Sequence, residues 1–287
     1  MEKTDIYKIR EAIQAVREVK NEVAASTESV LEEEKNKGPR GIWFVDGKYR
    51  QVPYEFSFDQ LLEHKTFTEL TESKEKQLGR KVNIVDIMGP GNFLNNMDSV
   101  NHLFAITLTD PDNPKSNKAQ RKEGEKKTLI FNDVYSKETK KQLAEEIDTL
   151  GLSEQGIDIM VIRPFTGWHD RKLGMSNLEV ETYWSYYYKQ LSDYYKLLSK
   201  EEGNFFIHLP SSLEPEAHSD KESIDINNKI QRLKTVLEKN HIDVHIQKAE
   251  TEFYEHKISF PTALKIIRHE NSPDSLPPFK VIRQSIV

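Results

Sequence analysis

The chain has 287 residues, with 41 lysines and arginines against 47 acids, a formal net charge of −6, and no cysteine. The acidic balance argues against a dedicated polyphosphate-binding surface, which moves nucleic acid down the list of partners. The absence of cysteine excludes disulfide frameworks, thiolate zinc sites and cysteine nucleophiles together. A hydrophobic content of 36% still allows a sizeable core. The opening Met1–Gln14 lacks the uninterrupted apolar stretch of a secretory signal, and no segment approaches the ~18 apolar residues of a membrane span. The expectation is a cytoplasmic protein without a membrane segment, although signals read by specialised secretion systems would escape this test.

In chain order, Ile6, Ile9, Ile13, Val16, Val23 and Val30 recur with charges between them, which predicts an amphipathic helix from Ile6 to about Lys35. Its apolar stripe needs a cover, either the main domain or an oligomer seam. Gly38-Pro39 ends it, and Ile42–Val45, Asp46-Gly47 and Lys48–Val52 have the form of a hairpin with an Asp-Gly turn. Helical segments follow between Phe58 and Gln77. Residues 1–80 thus read as a helical and hairpin extension, and 81–287 as the main domain.

From Lys81 the pattern becomes regular. Apolar runs at Val82–Met88, Leu103–Leu108, Thr128–Phe131, Ile157–Ile162 and Phe205–Leu209 alternate with loops or helices, as buried parallel strands require. Helices are predicted at Leu94–Val100, Lys137–Leu150, Val180–Ser199 and Ile226–Lys239, whereas proline-broken, charged Pro111–Lys127 reads as a loop. Val244–Lys248 and Ala263–Arg268 complete seven strands; with no clear helix between them, these two can be antiparallel neighbours.

The first strand runs through Asp86 into Met88-Gly89-Pro90-Gly91-Asn92-Phe93, an apolar strand meeting a glycine turn. Glycines let backbone approach a ligand closely, and a following helix start offers amide donors. Asp110 ends the second strand 21 positions after Gly89, where a carboxylate can accept hydrogen bonds from ribose hydroxyls. It also begins the turn Asp110–Pro114. Asn132-Asp133 puts a polar pair at the end of the third strand; Asp133 suits an adenine amino group or a helix N-cap, the latter fitting Ser136 better. After the fourth strand comes Arg163–Asp170, in which His169 is the candidate general base and Arg163 the candidate holder of an acidic substrate group. No third ligand accompanies His169 and Asp170, so no metal site is expected. The aromatic run Tyr183–Tyr188 with Tyr194-Tyr195 forms two helical stripes, read first as packing against the sheet and second as a wall of a substrate pocket.

In this arrangement the chain from about Lys81 resembles the class I S-adenosylmethionine-dependent methyltransferases. Asp86–Phe93 resembles their motif I, Asp110 their ribose-binding acid, and Asn132-Asp133 the pair near adenine; the final two strands are similar to their antiparallel sixth and seventh. The resemblance implies an α/β Rossmann-like seven-stranded mixed sheet with helices on both faces and an antiparallel last strand. It further implies S-adenosylmethionine as cofactor, held by Asp86, Gly89, Pro90, Gly91, Asn92, Asp110, Asn132 and Asp133, with a small molecule or protein side chain as methyl acceptor. The motif departs from the family by one extra residue after Asp86 and by Phe93 in place of the last glycine. That departure keeps open a non-catalytic methyltransferase-like binding protein whose N-terminal helix or aromatic surface engages a protein, the helix being also a candidate oligomer surface. A nicotinamide-dependent oxidoreductase is the third reading, and strand order separates it from the first.

Overall fold

The computed structural model describes residues 40–45, 48–53, 57–87, 97–107, 119–121, 126–132, 134, 136–162, 177–209, 220–247, 250–253, 256–259 and 262–280. In chain order the elements are β1 Arg40–Val45, β2 Lys48–Pro53, α1 Phe67–Leu78, β3 Val82–Ile87, β4 Val100–Thr107, β5 Ala119–Arg121, β6 Lys127–Phe131, α2 Lys137–Thr149, β7 Ile159–Ile162, α3 Asn177–Tyr195, β8 Gly203–His208, α4 Asp220–Glu238, β9 Asp243–Gln247, β10 Glu250–Phe253, β11 His256–Ser259 and β12 Ala263–Arg268. The larger sheet has the order β5-β6-β4-β3-β7-β8-β12-β9. β6, β4, β3, β7 and β8 are parallel, and β12 is antiparallel to both β8 and β9.

Alternation along the central strands sorts their side chains onto two faces. Val85, Ile87, Phe104, Met160 and Phe205 belong to a core that also takes in residues of α2, α3 and α4. Val82, Ile84, Leu103, Val161 and Phe206 pack instead with Phe58, Leu61, Leu62 and Phe67, so α1 and the turn before it cover the second face. Helices therefore lie on both faces, with the apolar runs read as strands buried on both sides. The aromatic run is core: Trp184, Tyr187, Tyr188, Tyr194 and Tyr195 are all buried. Their hydroxyls bind α3 to its surroundings, Tyr187 donating to the His208 carbonyl at 2.9 Å, Tyr194 to that of Val134 at 2.6 Å and Tyr188 to that of Pro277 at 2.8 Å.

Several expectations change. The loop read over Pro111–Lys127 contains β5, which pairs antiparallel with β6 and adds an eighth strand at the edge. Ala119-Gln120-Arg121 has no apolar pattern in sequence, and its pairing with β6 is a backbone feature that such a pattern does not signal. Within the segment read as helical from Phe58, residues 59–64 form a turn, and α1 begins only at Phe67. A capping box fixes that start: the Thr66 hydroxyl accepts from the Glu69 amide at 3.1 Å, and the Glu69 carboxylate accepts from the Thr66 amide at 2.8 Å. Of predicted helix Leu94–Val100, Asp98-Ser99 form a turn and Val100 opens β4, while 94–96 lie outside the described residues. The hairpin of β1 and β2 is present, but it joins β10 and β11 in a second sheet of order β10-β11-β1-β2. The predicted helix Ile6–Lys35 lies outside the described residues.

At the amino end of the parallel strands, fully buried Asp158 fixes the junction of three segments. Arg80 donates to both its oxygens at 2.8 Å, and the Asn83 amide donates to it at 2.8 Å. A bidentate guanidinium pair of this kind is strong because both charges are hydrogen-bonded as well as paired. Asp158→Asn should therefore cost about 3 kcal/mol, by leaving the partly buried Arg80 cation with only exposed Glu201, 3.4 Å away, as counter-charge. Urea denaturation of the variant beside the parent measures this; an unchanged midpoint would refute it.

Candidate functional site

Ligands of open parallel sheets bind beyond the carboxyl ends of the strands. In this protein that edge is formed by the ends of β6, β4, β3, β7 and β8. Asp86 lies one residue before the end of β3, level with Ala105 of β4 and Val161 of β7, and is fully buried. Asn132 follows the last residue of β6, is half-buried, and has contacts of its own. β4 separates the two strands, so these polar groups flank the end of β4 at a lateral separation of about two strand spacings of ~4.8 Å each. A carboxylate and a carboxamide placed so are the donor and acceptor types that the amino and hydroxyl groups of a nucleoside require.

Of the site residues predicted from sequence, Asp86 and Asn132 are thus placed at the same edge. Gly89, Pro90, Gly91, Asn92, Asp110, Asp133, Arg163 and His169 lie outside the described residues. Ser136 is the N-cap of α2, accepting from the Thr139 amide at 3.0 Å. Among the described residues, no three His, Asp or Glu side chains are grouped so as to hold a metal ion. No described helix is long and apolar enough to cross a membrane.

Sequence reading missed one residue at this edge. His208, the last residue of β8, is two positions beyond Phe206, which the register sets level with Val161 and hence with Asp86. Its ring is buried and rests on Phe58, with ring centroids 4.2 Å apart. Burial pushes its pKa down to about 3, against the opposing pull of the Ile162 and Ser57 carbonyls, so the imidazole is neutral at physiological pH. The signal in the sequence was a lone imidazole inside the apolar run Phe205–Leu209, at the end of a strand where ligands gather. Gln247 was missed as well. It is fully buried at the end of β9, accepts from the Gln60 amide at 3.1 Å and donates to the Ser57 carbonyl at 3.1 Å, pinning the turn before α1 to the sheet.

The strand order defines a methyltransferase-like Rossmann fold. An antiparallel β12 inserted between β8 and β9 is the arrangement expected of the class I methyltransferases and departs from the wholly parallel six-stranded sheet expected of a dinucleotide dehydrogenase. No protein-family model matches the chain, and no curated protein matches it. Among solved structures, it is similar to the methyltransferase domain of bacterial CtHen1-CN, at 12% identity and a TM-score of 0.34, over 70% of this chain and 97% of that one.

The low pKa of His208 has a consequence for stability. Between its ordinary value of 6.5 and about 3, the unfolded chain takes up a proton that the folded chain refuses, so acidification through this window favours unfolding. Stability should fall more steeply between about pH 7 and pH 4 in the parent than in His208→Gln, which lacks the proton-binding ring. Equal slopes of unfolding free energy against pH would show that the ring is not withheld from protons.

Proposed function

We propose that this protein is an S-adenosylmethionine-dependent methyltransferase acting on a small molecule or a protein side chain. The observation that carries the reading is the antiparallel β12 seated between β8 and β9, together with polar Asp86 and Asn132 at the carboxyl edge of β3 and β6. Motif order supports it: a glycine turn after β3, an acid 21 positions beyond Gly89, and a polar pair after β6.

The cofactor would supply a methyl group activated on a sulfonium. Asp86 and the backbone of Gly89–Asn92 would hold its amino-acid portion, Asp110 its ribose, and Asn132 with Asp133 its adenine. Arg163 would orient an acidic group of the acceptor. His169 would draw a proton from the attacking atom, as a base within hydrogen-bonding reach can. The buried, apolar face beneath the edge excludes water from one side of that reaction.

Calorimetric titration with S-adenosylhomocysteine tests the reading. Saturable binding is expected, with Asp110→Ala weakening it about tenfold or more, as loss of a bidentate acceptor for two hydroxyls would. No binding to the parent, or identical binding by both proteins, would overturn it. The departure from the family glycine pattern at Phe93 would then favour a non-catalytic methyltransferase-like protein whose surface engages a partner.

A further inference from the structure

The four-stranded sheet is tied to the carboxyl edge of the larger one at three points. Residues 248–249 alone link Gln247, the last residue of β9, to β10; residues 260–262 link β11 to Ala263, the first of β12; residues 54–56 link β2 to Ser57. The anchors meet in one place: Ala263 is level with Gln247 and His208, and the Gln247 side chain donates to the Ser57 carbonyl at 3.1 Å. An extended chain spans at most about 3.6 Å per residue, so each linked strand end lies within about 15 Å of its anchor. The sheet therefore stands beside the ends of β8, β12 and β9. Arg163 and His169 follow β7 in the chain, and β7 is two strand spacings of ~4.8 Å from β12; Asp86 and Asn132 go with β3 and β6 on the far side of β7.

Charge is spread unevenly over this sheet. Its acidic strand is β10, with Glu250 and Glu252, and the register sets Glu252 opposite Lys257 of β11. The β1–β2 hairpin on the other side carries Arg40, Lys48 and Arg50 in its strands against the single acid Asp46 of its turn, in a chain of net charge −6. Basic residues on an outer strand such as β2 also keep stray strands away, but Arg40 belongs to β1, which has neighbours on both sides. We propose that the β1–β2 hairpin is an acceptor-recognition surface that receives an acidic segment of a protein methyl acceptor. That the partner is the acceptor rests on the methyltransferase reading, which puts the transferred methyl near β7, between the cofactor residues and this sheet. Opposite charge on the two surfaces selects the partner and steers its approach. Three cations on an acidic protein suit a few carboxylates rather than a polyphosphate backbone.

Fluorescence anisotropy on the full chain, with labelled polyglutamate and with polyuridylate of matched length, tests this. Polyglutamate is expected to bind saturably, less tightly as salt rises, and about tenfold more weakly to the double variant Lys48→Gln, Arg50→Gln than to the parent. No binding, or equal binding by the two proteins, overturns the proposal. Tighter binding of polyuridylate overturns it as well, in favour of a nucleic-acid surface. Should the variant fail to fold, amide hydrogen exchange on the parent decides: polyglutamate is expected to slow exchange in β1 and β2 and leave α2 unchanged, and a footprint that omits the hairpin overturns the proposal. Titration of the parent with S-adenosylhomocysteine is read separately. Its failure to bind, with polyglutamate still held at the hairpin, counts against the methyltransferase reading and not against the docking surface.

Discussion

One side of the carboxyl edge, where His208 and Gln247 lie, depends on the hydrogen-bonded insertion of β12 between β8 and β9. A strand with neighbours on both sides satisfies its backbone donors and acceptors within the sheet, which a buried segment must do. Ala263 is paired with His208 on one side and with Gln247 on the other, so a single antiparallel strand sets the level of both residues. Gln247 then reaches the turn before α1, and His208 meets Phe58 of the same turn. The cover on the second face of the sheet is consequently attached through the ends of β8 and β9, the two strands that flank β12.

The opposite end of the strands is built from different chemistry. Asp158, Arg80 and Asn83 form a charged and amide network there, extended by the Asn101 side chain donating to that of Asn83 at 2.9 Å. Gly203, at the start of β8, allows close approach at this end: a Cβ added to it would lie 2.6 Å from the Ser199 carbonyl oxygen. Paired charges and amides at the amino ends, and the buried polar side chains of Asp86, His208 and Gln247 at the carboxyl ends, give the two ends of the sheet different chemistry.

The central strands of the methyltransferase-like core were legible because they are apolar runs of the length a doubly buried strand needs, as in Val82–Ile87, Ile159–Ile162 and Gly203–His208, whereas β6 and β9, being only half-buried, alternate buried with more exposed positions. α2, α3 and α4 were legible from amphipathic spacing, and the cap at Ser136 from its side-chain chemistry. β5, β10 and β11 were not, since short strands recruited by backbone pairing leave no hydrophobic signature. At the site, Asp86 and Asn132 were found because strand-end polar residues stand out against apolar runs. His208 and Gln247 were passed over because their roles come from long-range partners: the Gln247 side chain bonds to Ser57, 190 positions away. A local pattern carries no trace of that contact.

The second sheet joins Val45 of β1 to Ile258 of β11, a pairing that closes more than two hundred residues of chain. Contacts of that sequence separation are costly in loop entropy. Until β1 arrives, one edge of β11 has unpaired backbone groups, and an open edge is a template for strands of other chains. In the folded sheet the β1–β2 hairpin covers that edge of β11, so the β10–β11 hairpin does not offer it to a neighbour.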